Sequence, residues 1–324
     1  MLNRREMLAS LAALGALSGA RSAPAPSWAP QRPLRIIAGA AGAILDVAAR
    51  QIADRIAGPL GQAVIVENKA GAGGIVTMEA AAHSAPDGHT LAITTFAEMT
   101  VNPWLYERLH YDPVRDFAPV TVLYTGPQLL VAHPGFAPRT VSDLVQEAKK
   151  NPGRIMYGSS GVARPPHIFM EKFKLSAGID LPHVPYRGGP PLLQVLVAGD
   201  VPLAMEGTSA TVPLVQAGRL RAMAVTGDRR LAALPDVPTF AEAGIAGIGL
   251  AWVGIVAPAG TPAAAVARLQ HEIAAALQSP EIRAAYDLAG RTPIGNTPED
   301  FADWIRRDLA DWRDVVRRSG IRPE

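Results

Sequence analysis

The 324-residue sequence predicts an α/β fold in two similar units, each a mostly parallel sheet flanked by helices. Three observations predict it. From Pro33 onward, short apolar runs alternate with stretches of helical period, separated by glycine-bearing turns. Residues 155–226 repeat the β-loop-α plan of the segment before them. Hydrophobic residues make up 48% of the chain, ample for a core, and no low-complexity stretch interrupts it.

The elements follow in order. Arg35-Ile36-Ile37-Ala38 reads as a strand and residues 39–43 as a small, flexible turn. Leu45, Ala49, Ile52 and Ile56 form the apolar stripe of a helix, which Gly58-Pro59 is expected to close. A strand, a glycine turn and a helix in that order leave backbone N–H groups free at a helix start, where an anionic group of a small ligand is favoured. Such helix starts are also routine α/β architecture. Residues 63–66 are the next strand, followed by the loop Asn68-Lys69-Ala70-Gly71-Ala72-Gly73-Gly74 and a helix over 75–83. Pro86-Asp87-Gly88 turns the chain into a strand over 89–95. Ligands of such sheets bind beyond the carboxyl ends of the strands. The loops after Ile37, Val66 and Thr95 are therefore candidate rim segments.

Residues 120–124 and 129–133 are extended and apolar, and Thr140 with Asp143 resembles a capping box at a helix start. The second unit then opens with a strand over 154–157, the tight loop Gly158-Ser159-Ser160-Gly161 and a helix over 167–175. It continues with the strand His183-Val184-Pro185-Tyr186, the turn Arg187-Gly188-Gly189, a helix over 192–198 and strands over 201–205 and 220–226. A strand over 251–257 precedes two final helices, at 263–277 and from the Thr297 cap to about Arg318.

Residues 1–26 read as an export signal peptide. Arg4-Arg5 precede an apolar segment from Met7 to about Leu17 and then small residues, a segment too short to anchor in a bilayer. Asn3-Arg4-Arg5-Glu6-Met7-Leu8 resembles a twin-arginine signal. Arg4, Arg5, Arg21 and Glu6 belong to this leader, so the mature chain keeps 28 of the 31 basic and 28 of the 29 acidic residues. It is neutral, with no basic run, and nucleic-acid binding is not expected. The absence of cysteine excludes disulfides, thiolate metal sites, a cysteine nucleophile and a lipid-modified cysteine. An exported, unanchored chain of this kind points to the bacterial periplasm.

Catalytic motifs fail on inspection. A nucleophile elbow around Ser160 requires glycine where Val162 stands. The dinucleotide pattern of Gly71-Ala72-Gly73-Gly74 lacks its third glycine, replaced by Val76, and no lysine closes a P-loop. His271-Glu272 lacks a second zinc histidine, since Ala275 occupies that place. No enzyme, metal or cofactor is expected.

The chain resembles the substrate-binding proteins of tripartite tricarboxylate transporters, the periplasmic Bug family. The resemblance rests on Pro33-Leu34-Arg35-Ile36-Ile37, on Val66-Glu67-Asn68-Lys69 with Gly71-Ala72-Gly73-Gly74, and on Ala85-Pro86-Asp87-Gly88. It continues through Asn102-Pro103, Tyr111-Asp112-Pro113-Val114-Arg115-Asp116-Phe117, Tyr157-Gly158-Ser159 and His183-Val184-Pro185-Tyr186. Ala217-Gly218-Arg219-Leu220-Arg221-Ala222, Leu234-Pro235-Asp236-Val237-Pro238-Thr239 and Ala257-Pro258-Ala259-Gly260-Thr261-Pro262 complete it, in order over nearly the whole mature chain. The resemblance implies a two-lobed periplasmic binding protein of type II-like plan, joined by two crossing strands. Lobe 1 is expected over 27–125 and 251–324, and lobe 2 over 126–250. A small organic carboxylate between the lobes closes them.

Where the family commonly has Pro-Phe-Pro-Ala-Gly-Gly-x-Thr-Asp, this chain has residues 38–46, with Ala43 for the second glycine and Leu45 for the threonine. Val162-Ala163-Arg164-Pro165-Pro166 replaces a hydroxyl-rich run, and Glu206-Gly207 stands where Asp-Asn is frequent. The implied ligand contacts are Gly39, Ala41, Gly42, Asp46, Thr95, Ser159, Ser160, Arg164, Tyr186 and Glu206. Several have structural readings too. Leu45 suits a core stripe, Asp46 a helix-terminal acid, and Arg164 either a partner for Glu206 or a bidentate clamp on a ligand carboxylate. An apolar wall with one cation favours an apolar or aromatic monoacid over citrate. The expected partners are a small organic acid and membrane transporter subunits, with the protein itself a monomer. A ligand-responsive receptor signalling to a membrane sensor is the alternative.

Overall fold

The computed structural model describes residues 28–322; the leader expected over 1–26 lies outside them. The first half of the chain runs β1 (Leu34–Ala38), α1 (Ile44–Leu60), β2 (Val64–Asn68), a 3₁₀ turn (Ala72–Gly74) and α2 (Ile75–Ala82). Then come β3 (Thr90–Thr95), a π-type turn (Ala97–Val101), α3 (Asn102–Leu105), β4 (Phe117–Gly126) and β5 (Gln128–Ala132). The middle runs α4 (Val141–Lys150), β6 (Tyr157–Ser159), α5 (Pro165–Ala177), β7 (His183–Pro185), α6 (Gly189–Ala198), β8 (Leu203–Gly207), α7 (Thr208–Gln216) and β9 (Arg221–Val225). The chain ends with β10 (Ala251–Pro258), α8 (Ala263–Leu277), α9 (Pro280–Leu288), β11 (Thr292–Pro293) and α10 (Pro298–Ser319).

Two sheets result, ordered β11-β4-β10-β3-β1-β2 and β7-β6-β8-β5-β9. The strands that feed βα turns are parallel: β1 lies parallel to β2 and β3, and β6 to β7 and β8. β10 pairs antiparallel with β3 and β4, and β5 antiparallel with β8 and β9, so both sheets are mixed. The chain passes from one sheet to the other at Pro127, between β4 and β5, and returns between β9 and β10. This is a two-lobed α/β architecture, one sheet to a lobe.

Burial explains the strand composition. Ile36 and Ile37 point to opposite faces of the first sheet and both are buried, as expected of a parallel strand covered on two sides. On one face Leu34, Ile36, Leu91 and Ile255 pack against α1 and α8 through Ile52, Ile56, Leu269 and Ile273. On the other, Ile37 and Val256 join a cluster that continues into the second lobe. Phe96, Phe169 and Trp312 link the π-type turn, α5 and α10, with ring centroids 5.3–5.5 Å apart.

Three expectations change. The first helix does not stop at Gly58-Pro59; it runs through Pro59 to Leu60, and Gly61 (φ 66°) caps it with its N–H on the Ala57 and Gly58 carbonyls. A proline in the last turn removes only one amide, and the extra turn buries Leu60. The strand read over 154–157 begins only at Tyr157, so Gly158 and Ser159 belong to the strand and not to a loop. Three helices were not anticipated, the short α3, α7 and α9. α7 carries Pro213 in its interior, and α9 restarts after α8 with its own Ser279 cap, which accepts from the Ile282 N–H.

Candidate functional site: a cleft between the lobes

Between the two sheets lies an open cleft of about 1140 Å³. One side is lined by Ile44 at the start of α1, Ala72 and Gly73 before α2, and Tyr106. The other side is lined by residues 160–166, by Pro185 to Gly189, and by Gln128, Glu206, Gly207, Ser209 and Ala210. These are the starts of α5, α6 and α7. Five helix N-termini therefore face one space.

Capping separates these helices from most of the others. α4, α9 and α10 satisfy their first-turn amides with the side chains of Thr140, Ser279 and Thr297. α1, α2, α5, α6 and α7 have no side-chain cap. Their aligned dipoles favour an anion, and at α7 the Glu206 carboxylate already takes the Gly207 N–H. Prolines thin out the donors selectively. Pro165-Pro166 open α5, and Pro190-Pro191 follow Gly189 in α6, and none of the four has an N–H. Arg164, the exposed N-cap residue of α5, supplies a cation where those amides are missing.

Of the residues expected at the site, Ser160, Arg164, Tyr186 and Glu206 line this cleft. Gly39, Ala41, Gly42, Asp46, Thr95 and Ser159 are not among its lining residues. Asp46 is buried and accepts from the Gly42 N–H and from Asn68 Nδ2, both at 2.8 Å, and from Arg50 Nε at 3.1 Å. The Arg50 guanidinium, then Asn68 and the Gly42 amide, hold its carboxyl well below the usual carboxylate range. Asp46 thus ties the 39–43 turn to α1 and β2, and so sets where Ile44 enters the cleft. Leu45 packs on the core behind, and Ile44 is the residue exposed to the cleft. Ser159 is buried, with Oγ 2.6 Å from His183 Nε2. The Thr95 N–H and hydroxyl both reach Glu98 Oε2.

Electrostatics divide the cleft. The charge of Arg164 favours the ionised forms of Glu98 and Tyr106, on the lobe 1 side. Burial raises the Glu206 carboxyl, against the Gly207 amide and the Ser160 hydroxyl. Burial likewise raises Glu98. Arg187, at the mouth, adds a second exposed cation that the sequence reading left as a turn residue. Ile44, Tyr106 and Gln128 were also missed. Gln128 had one available signal, its place at the start of a strand that enters the second unit directly after Pro127. Among the described residues, no three His, Asp or Glu side chains gather as a metal-ligand set.

The family model described as the tripartite tricarboxylate transporter family receptor matches residues 48–321. The chain belongs to that family. Among relatives of this receptor family, the protein BugT of Bordetella pertussis is 31% identical over 324 residues, covering 99% of both chains. An R. palustris protein solved with adipate has a TM-score of 0.76 and 33% identity, over 91% of this chain and 99% of that one. MatC of Rhodopseudomonas palustris, with bound malate, has a TM-score of 0.73 and 31% identity, over 89% and 99%. The chain is thus a solute-binding receptor of the periplasmic type and not an enzyme. No helix among the described residues is long and apolar enough to cross a membrane.

Proposed function

We propose that this receptor binds a small organic carboxylate in the inter-lobe cleft and delivers it to the membrane subunits of a tripartite tricarboxylate-type transporter. The observation that carries the reading is the convergence of five helix starts without side-chain caps on a single cleft, together with Arg164. The adipate and malate complexes of the two relatives support it. In this reading lobe 1 comprises 27–125 and 251–324, and lobe 2 comprises 126–250. The protein acts as a monomer in the periplasm after twin-arginine export.

Arg164 takes the carboxylate, and Ile44, Val162, Ala163, Pro165 and Pro166 form an apolar surround. Citrate fits poorly, because its additional carboxylates meet proline in place of amides and a glutamate in place of a cation. A thermal-shift screen of carboxylic acids tests the function, since a ligand of the folded state raises the midpoint. Calorimetry on Arg164→Ala then reads the clamp, with an expected loss of about 1.5–3 kcal/mol. No stabilisation by any carboxylate, or citrate bound tighter than monoacids, overturns the reading.

A further inference from the structure

The cleft holds two buried acceptor oxygens that make no hydrogen bond to the protein, although the Ser160 hydroxyl lies beside one of them. Glu206 Oε1 accepts from the Gly207 N–H at 3.0 Å, while Glu206 Oε2 is buried without a hydrogen-bond partner. Gln128 Oε1 is buried and unpartnered as well, although the Gln128 backbone N–H is bonded to Thr226 Oγ1 at 2.9 Å. The two residues flank one strand end, since Gln128 pairs with Gly207 across the β5–β8 ladder. Both line the cleft. Buried acceptors are ordinarily paired, and a lone carboxylate oxygen is the costliest kind to leave unmet. An anion at this rim would leave them unmet and add repulsion. A donor would satisfy them.

We propose that the ligand is a monocarboxylate bearing a cationic amine away from its carboxylate, with the amine held at Glu206 and Gln128 and the carboxylate at Arg164. This deepens, and rests on, the carboxylate reading of the same cleft. The separation of charges argues for it. Arg164 stands at the start of α5, whereas Glu206 and Gln128 stand at the paired ends of β8 and β5, so the cation and the unmet acceptors come from different parts of the cleft wall. The amide-rich start of α7, which would otherwise suit a second ligand carboxylate, already has the Glu206 carboxylate on its Gly207 N-cap. An ammonium carries only donors and a positive charge, the complement of that end. Arg187 lies toward the mouth, where it adds to the attraction for the carboxylate end.

The test is a matched series measured by titration calorimetry on the mature protein. It comprises butanoate, pentanoate and hexanoate, their ω-amino derivatives and the corresponding dicarboxylates. At the best chain length the ω-amino acid is expected to bind at least tenfold tighter than its parent, with the dicarboxylate weakest. Glu206→Gln keeps the side-chain shape and should reduce that amino-over-parent ratio at least tenfold. Gln128→Leu should reduce it severalfold. Arg164→Ala should weaken parent and amino acid together and leave their ratio unaltered. A dicarboxylate that outbinds the amino acid, or a ratio unchanged in Glu206→Gln, overturns this inference while leaving the carboxylate receptor in place. Binding of no member of the series, with other carboxylates also silent, overturns both.

Discussion

The imidazoles of His167 and His183 stack face to face, with centroids 3.8 Å apart and planes 14° from parallel. They sit beneath the loop that carries Ser160 and Arg164. His167 Nδ1 accepts from the Ala163 N–H at 3.0 Å, and His183 Nε2 meets Ser159 Oγ at 2.6 Å. The pair therefore supports one wall of the cleft from behind, and His167 can accept the Ala163 N–H only while its ring is neutral.

Burial pushes both histidines down to about 4, and their mutual repulsion once charged adds to the effect on His183. A depressed folded-state pKa contributes stability that is fully present above the unfolded value, near 6.5, and is lost as pH falls through the folded one. The window is thus about pH 6.5 to 4. Lys174 opposes protonation; Glu171, 3.9 Å from His167 Nε2, is already engaged by Lys174 Nζ and Tyr157 OH. Nearly full burial makes His167 the larger contributor, about 3 kcal/mol at 1.36 kcal/mol per pKa unit. Asp308 works in the opposite sense: burial pushes it up to about 6, so its contribution is lost as pH rises toward that value. The melting midpoint of the native protein should fall between pH 6.5 and 4, and His167→Gln should flatten that slope. Equal slopes in the two proteins contradict the assignment.

Phe169 is fully buried between Phe96 and Trp312, at 5.4 and 5.3 Å between centroids. It belongs to α5, whereas Phe96 precedes the π-type turn of the other lobe and Trp312 is on α10. One ring thus joins packing from three elements. Phe169→Ala leaves a cavity that rigid neighbours cannot fill and should cost about 3–5 kcal/mol. Equilibrium urea unfolding measures it, with Trp312 as a nearby fluorophore; a cost below 1 kcal/mol would mean that the lobes separate there without loss.

The sequence carried the elements whose signals are local. Thr140 and Asp143 form both halves of the expected capping box, and Thr297 caps α10 by accepting from the Asp300 N–H. The boundary at Gly58-Pro59 was misplaced because two punctuating residues stood side by side, and only burial of Leu60 decided between them and Gly61. α9 had a readable start in Ser279-Pro280-Glu281, masked by the alanine-rich helix before it.

The site was legible in part for the same reason. Helix starts are local, so the glycine turns were visible; their convergence depends on tertiary structure. Asp46 reads as a helix-terminal acid, yet its bond to Asn68 spans 22 positions and no pattern announces it. Ile44 and Leu45 are equivalent in composition, and only the direction of the α1 axis sends one to the cleft and the other to the core. The unmet oxygen of Glu206 follows from the way β5 and β8 pair, which the sequence leaves open.

Export is tested upstream of the described residues. Arg4-Arg5 to Lys-Lys removes the paired guanidinium groups while keeping the charge of the leader. Periplasmic accumulation should be lost, and the mature protein made without the leader should bind and melt as before. Accumulation that persists and requires the general secretion machinery refutes the twin-arginine route alone.

Closure is the test of the two-lobed mechanism. At about 1140 Å³ the cleft exceeds the roughly 300–1,000 Å³ of pockets that enclose small molecules. A small acid that touches Ile44, Ala72 and Tyr106 on one side and Arg164 and Glu206 on the other bridges the two lobes. Contacts from both sides are gained only in the closed state, so ligand shifts the population toward it. Besides the ring packing of Phe96, Phe169 and Trp312, the chain crosses between the sheets at Pro127 and between β9 and β10, where closure would bend it. Small-angle scattering should show a decrease of about 0.5–1 Å in radius of gyration on saturation, against about 19 Å for a compact chain of this length. Arg164→Ala, measured at a concentration that saturates it, should close less completely, because one side of the clasp is missing. An unchanged radius in the native protein, with binding demonstrated by calorimetry on the same sample, would place the ligand in a rigid site and rule out closure.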